Sequence, residues 1–123
     1  MGNRLSLLQA AERGKIDEAK LALERGELVD TKDGNGWTPL LFAAREGHEG
    51  KVRLLLHYDA TPDLPDSRGM TAMMWAAFHG HVNLVRILLS NHADMNVENK
   101  DGQTALKIAE AEGHQEVVDC LME

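Results

Sequence analysis

The sequence repeats itself at an interval of 33 residues, and that period constrains the fold more than any other feature. Gly36, Gly69 and Gly102 share one phase, each followed two residues later by a threonine: Thr38, Thr71 and Thr104. Gly14, Gly47, Gly80 and Gly113 share a second phase, and Ala10, Ala43, Ala76 and Ala109 a third. His48, His81 and His114, Val52, Val85 and Val118, and Leu55, Leu88 and Leu121 recur at the same interval. A fixed period in this range, held without insertions, marks a stack of like units that bury their apolar faces against one another.

Taken in order, residues 1–33 read as a shortened first unit. Leu5, Leu7, Leu8, Ala10 and Ala11 fall in the phases of Thr38, Leu40, Leu41, Ala43 and Ala44. The turn that opens later units would map before Met1, so this copy is expected to act as an N-terminal cap. A second helix is predicted from about Ile16 to Arg25, burying Ala19, Ala22 and Leu23 at helical spacing. Residues 34–66 form the first full unit. Gly34-Asn35-Gly36 supplies residues that tolerate positive φ at a tight tip. Thr38 offers a hydroxyl to cap a helix, and Pro39 sits at its first position, where a missing N–H costs nothing. Gly47 ends that helix, and a second carries Val52, Leu55 and Leu56 inward. Residues 67–99 repeat the plan, and 100–123 close it as a polar C-terminal cap through Glu110, Glu112, Glu116 and Asp119.

The stretch Gly36-Trp37-Thr38-Pro39-Leu40-Leu41-Phe42-Ala43-Ala44-Arg45-Glu46-Gly47-His48 resembles the ankyrin-repeat signature, as do its copies at 69–81 and 102–114. The resemblance covers about residues 4–123. It implies an all-α solenoid of stacked helix-turn-helix units joined by β-turn or hairpin loops, acting as a single domain. It also implies a non-enzymatic protein-recognition module that uses turn tips and the first helices, which line a groove. Two departures from the family pattern stand out. The usual histidine after Thr-Pro-Leu is Leu41, Met74 and Lys107, so its inter-repeat hydrogen bonding is not expected here. The usual glycine after the second helix is Gly26 once, then Asp59 and His92. If the last two keep positive φ, each costs on the order of 1 kcal/mol, so the array is expected to be less stable than an idealised one.

Composition narrows the function. The net charge of −7 divides unevenly: residues 100–123 carry −4, whereas 67–99 carry none. An acidic end argues against a nucleic-acid partner, which needs clustered Lys and Arg. No run of about 18 apolar residues is present and no secretory leader is recognisable, so no membrane partner is expected. The single cysteine, Cys120, fits a reducing compartment, the cytosol or nucleus. Its phase, shared with Leu21, Leu54 and Ile87, makes it a packing residue. No phosphate-cradling loop, nucleophile motif or zinc-protease motif is present, and no cofactor is expected. The six histidines include one per unit at His48, His81 and His114, which are expected to form a ladder at structural turns rather than a metal site. His79 and His81, two apart, would not converge on an ion.

The family's variable positions supply the candidate partner-binding residues. At the tips these are Asn35, Trp37, Arg68, Met70, Asp101 and Gln103. Near the ends of the first helices they are Arg45, Glu46, Phe78, His79, Ala111 and Glu112, with Met74 expected to reach the groove. Trp37, Met70 and Phe78 are expected to form the centre of a protein-binding patch, as aromatic anchors do. Trp75 and Phe42, in phase with Ile108, are assigned to the core. Met1-Gly2-Asn3-Arg4-Leu5-Ser6 also matches an N-myristoylation pattern, although one acyl chain binds membranes only marginally. Two alternatives therefore accompany a monomeric binding module: a regulatory subunit that occludes a partner enzyme, and a membrane-proximal adaptor acylated at Gly2.

Overall fold

A computed structural model describes residues 5–123. The described chain forms eight helices and no strand: α1 (Leu7–Glu12), α2 (Ile16–Glu24), α3 (Pro39–Glu46), α4 (Glu49–His57), α5 (Ala72–Phe78), α6 (Val82–Ser90), α7 (Ala105–Glu112) and α8 (Gln115–Met122). They pair within units and stack between them. The first helices pack in one row, α1 on α3 on α5 on α7, and the second helices in another, α2 on α4 on α6 on α8. Alanines at Ala10 and Ala11, Ala43 and Ala44, Ala76 and Ala77, and Ala109 line the first row and are fully buried. Their small side chains let neighbouring helices approach closely. The larger aliphatics, Leu55, Val52, Leu84, Val85, Leu88, Val117 and Leu121, fill the space between the rows.

Each first helix starts and stops by the same local chemistry. The hydroxyls of Ser6, Thr38, Thr71 and Thr104 accept from the backbone N–H three residues on, at Gln9, Leu41, Met74 and Lys107. Ser6 closes a reciprocal capping box with Gln9. At the other end the chain reverses through a left-handed residue, as at Gly47 (φ 78°) and Gly80 (φ 73°). The histidine that follows each then donates its N–H back to Ala43 or Ala76, the wide bond of a Schellman closure. The histidine side chains complete the ladder foreseen from their spacing. The His81 ring covers Gly47 and the His114 ring covers Gly80, so closely that a methyl group at Gly80 would come within 2.7 Å of His114 Nδ1. His114 Nε2 also lies 3.0 Å from the Phe78 carbonyl oxygen.

The second helices of the first three units end at the position the family fills with glycine. Gly26, Asp59 and His92 all have positive φ, at 89°, 66° and 67°. The residue after each again bonds back to the helix: Glu27 to Ala22, Ala60 to Leu55 and Ala93 to Leu88. Strain at the two non-glycine positions is therefore real.

Two features of the stack were not read from the sequence. Lys51, only 1% exposed, lies between the units in the phase that holds Leu84 and Val117. Its Nζ donates to the Ala11 carbonyl across 2.7 Å, at the C-terminal end of α1, where a cation is favoured by the helix dipole. Burial nonetheless pushes its pKa below the ordinary lysine value, opposed by the charge of Glu46. The second feature is the tie between linkers: Asp30 accepts from the Thr61 N–H and hydroxyl, and Asp63 from the Asp94 N–H.

Candidate functional site

The tips that precede α3, α5 and α7 are built on one repeated device. Asp33, Asp66 and Asn99 stand 33 residues apart, and the Oδ1 of each accepts two backbone N–H groups, two and four residues on. The same residues donate their own N–H to the carbonyls of Trp37, Met70 and Gln103. Each tip is thus a closed, hairpin-like turn. Successive tips are then joined by backbone bonds, Ser67 N–H to the Asn35 carbonyl and Lys100 N–H to the Arg68 carbonyl. This ladder ties the units together in sequences that hold Leu41, Met74 and Lys107 in place of the family histidine. The mixed Asp and Asn identities concealed the device, although all three share the 33-residue period.

On this scaffold an aromatic ridge crosses from the second unit to the third. The Trp37 ring lies 5.1 Å from Phe42 and 5.3 Å from Trp75, which in turn lies 6.0 Å from Phe78. His79 stacks on Trp75 at 6.1 Å. The Arg45 guanidinium sits over Trp37 at 4.8 Å and pairs with Glu46 at 3.1 Å. The His79 imidazole is held below its ordinary pKa, first by burial and then by the nearby charges of His81, Arg45 and His114, with Glu46 opposing. Trp75 is fixed by its Nε1, which donates to the second carboxylate oxygen of Asp66 at 3.2 Å.

Two clefts flank Trp75. One, of about 260 Å³, is walled by Met70, Trp75, Phe78 and Ile108, with Asp101 and Glu112 also lining it. The other, of about 390 Å³, is more polar and lined by Asn35, Trp37, Ser67 and Trp75. Arg68 belongs to both. A third cleft of about 390 Å³ lies on the outer helices among Glu49, Arg53, Asn83 and Arg86, and has no aromatic wall.

Of the candidate residues, Asn35, Trp37, Arg68, Met70, Phe78 and Gln103 line the two tip-side clefts, and Arg45, Glu46 and His79 border the ridge. Trp37 and Met70 are half-buried, whereas Phe78 is 39% exposed. Met74 is a correction: it is 1% exposed and does not reach the groove. It occupies the third position of α5, where its phase-mate Leu41 is equally buried between first helices. Trp75 is corrected in the other direction. Phe42 and Ile108 in its phase are buried, but the larger indole projects past the core and walls both clefts. Trp37, Met70 and Phe78 are thus joined through Trp75, which the spacing had assigned to the core.

Cys120 is buried in the core cluster. Among the described residues, no group of three or more His, Cys, Asp or Glu side chains is placed to hold a metal ion. No described helix is long and apolar enough to cross a membrane. Met1 to Arg4, including Gly2 of the acylation pattern, lie outside the described residues, while Ser6 is engaged in capping α1.

The described residues form eight helices, paired and stacked at a 33-residue period, and define an all-α repeat array. It matches the family model for ankyrin repeats (3 copies) over residues 3–66 and 59–123, and it belongs to the ankyrin-repeat family. Members of that family are generally protein–protein interaction modules and typically not enzymes. A comparison with curated proteins gave no match.

Proposed function

We propose that this chain binds a partner protein through the tip-side face between Trp37 and Gln103. The observation that carries the proposal is the ridge of Trp37, Trp75 and Phe78, which lies between two clefts and ends in an aromatic ring left open to solvent. Aromatic side chains with Arg45 and Arg68 beside them are the residue types that dominate binding energy at interfaces. The face is also preorganised. Asp33, Asp66 and Asn99 fix the tips, and bonds between tips fix their spacing. A partner therefore meets a surface that loses little conformational entropy on binding. The outer-helix cleft offers no comparable anchor.

The mechanism is recognition by a rigid surface, with no chemical step. Crosslinking capture from the native cell tests it. Partner affinity is expected to fall by about tenfold or more in Phe78→Ala, a loss of the size that truncating an interface anchor causes. Affinity within about twofold of wild type in both Phe78→Ala and Trp37→Ala would defeat the proposal.

A further inference from the structure

We infer that the cleft between the third and fourth units receives a lysine or arginine side chain of the partner. This deepens the proposed function and rests on it. The cleft holds about 260 Å³ and has two kinds of wall. Trp75 and Phe78 offer aromatic surface, and an aromatic face attracts a cation placed near it. Asp101 and Glu112 offer carboxylates. Both residues are exposed, and neither side chain enters an ion pair or a hydrogen bond with another described residue.

Two other polar groups of the cleft are engaged with each other. Asn99 Oδ1 accepts the N–H groups of Asp101 and Gln103, and its Nδ2 lies 3.3 Å from Gln103 Oε1. Asp101, Glu112 and the Arg68 guanidinium have no ion-pair partner among the described residues, which leaves a net negative charge beside aromatic carbon. Arg68 is the one cation on its wall, outnumbered by the two carboxylates and shared with the polar cleft next to it. The wider field has the same sign, since residues 100–123 carry a net charge of −4. A carboxylate or phosphate group would enter against that field. An uncharged aliphatic side chain would leave both carboxylates without a partner. A long side chain with an apolar stem and a cationic head satisfies both walls at once.

Selection of random short peptides displayed on phage against the whole chain tests the inference. Peptides that lose binding to the Phe78→Ala protein are kept, synthesised, and measured against wild type and an Asp101→Asn/Glu112→Gln variant. Both substitutions are at exposed positions, and far-UV circular dichroism checks that the variant is folded. The kept peptides are expected to share a Lys or Arg whose change to Gln weakens binding by about tenfold. That change is expected to have little effect on binding to the Asp101→Asn/Glu112→Gln variant, because the partner charges are gone. If Phe78-dependent peptides lack a shared basic residue, or bind the double variant as tightly as wild type, the inference fails while the binding face stands. If no selected peptide depends on Phe78, the binding face itself fails, and the inference with it.

Discussion

Asp66 holds Trp75 by its indole: Nε1 donates to one carboxylate oxygen across 3.2 Å, while the other oxygen accepts the N–H groups of Arg68 and Met70. One buried side chain therefore shapes the tip and positions the central ring of the ridge. Asp66→Ala is expected to destabilise the chain by about 2 kcal/mol, because it leaves backbone donors unpaired. Asp66→Asn keeps an acceptor for the tip, as Asn99 does one unit on, but turns a donor toward the indole. It is expected to cost about 1 kcal/mol and to shift tryptophan emission as Trp75 is released. Urea unfolding followed by fluorescence measures both.

Lys51 sits where the next two units carry Leu84 and Val117. Burial disfavours its charged ammonium, which makes one hydrogen bond, to the Ala11 carbonyl. Lys51→Leu is expected to raise stability by about 1 kcal/mol, since a packed apolar side chain often outdoes a buried charge. Ala11 keeps a backbone donor from Gly14. Lys51→Ala is expected to lower stability, because the stem packing is lost along with the charge. Opposite signs in thermal unfolding distinguish this account from a simple loss of a hydrogen bond.

Asp59 and His92 hold φ of 66° and 67° where the first unit has Gly26. Neither side chain makes a hydrogen bond with another described residue, so nothing offsets the strain. Asp59→Gly and His92→Gly are each expected to stabilise by about 0.5 kcal/mol, the relief of a left-handed residue less the added freedom of the unfolded chain. The two sites are in different units, so their effects in chemical denaturation are expected to add.

His79 resists protonation in the folded chain, principally because its ring, though exposed, is partly desolvated where it stacks on Trp75. The unfolded chain takes up that proton near the ordinary value of 6.5, so the stability His79 contributes is complete above that pH. It falls as pH drops through about 6.5 toward the lowered folded-state value. His79→Gln removes the titration. Its unfolding free energy is expected to decline less steeply than that of wild type between about pH 7.5 and 5.5, in parallel urea titrations.

The repeat architecture was legible because its signals are local and recur. A threonine that caps, a glycine that reverses the chain and paired alanines each do one job at one spacing. The candidate site was legible in part as a set of cleft-lining residues. Trp37, Met70, Phe78 and Gln103 came from the positions that vary in the family the chain resembles, and they line the tip-side clefts. What stayed hidden depends on side-chain size and on contacts between units. Trp75 shares a phase with buried Phe42 and Ile108, and only its extra length brings it to the surface. Met74 shares a phase with buried Leu41 and exposed Lys107, so the phase alone could not place it. Lys51 reads as solvated by charge, and its burial depends on Ala11, forty residues away.

Partners are expected to engage the tip-side face and not the outer helices. The most direct test replaces Arg68, or in a second protein Arg53 on α4, with a photo-crosslinking amino acid and irradiates each in the native cell. Covalent adducts with a partner protein are expected from position 68, lost on adding Phe78→Ala, and none from position 53. Adducts from position 53 alone, or from both positions with no dependence on Phe78, would contradict tip-side engagement.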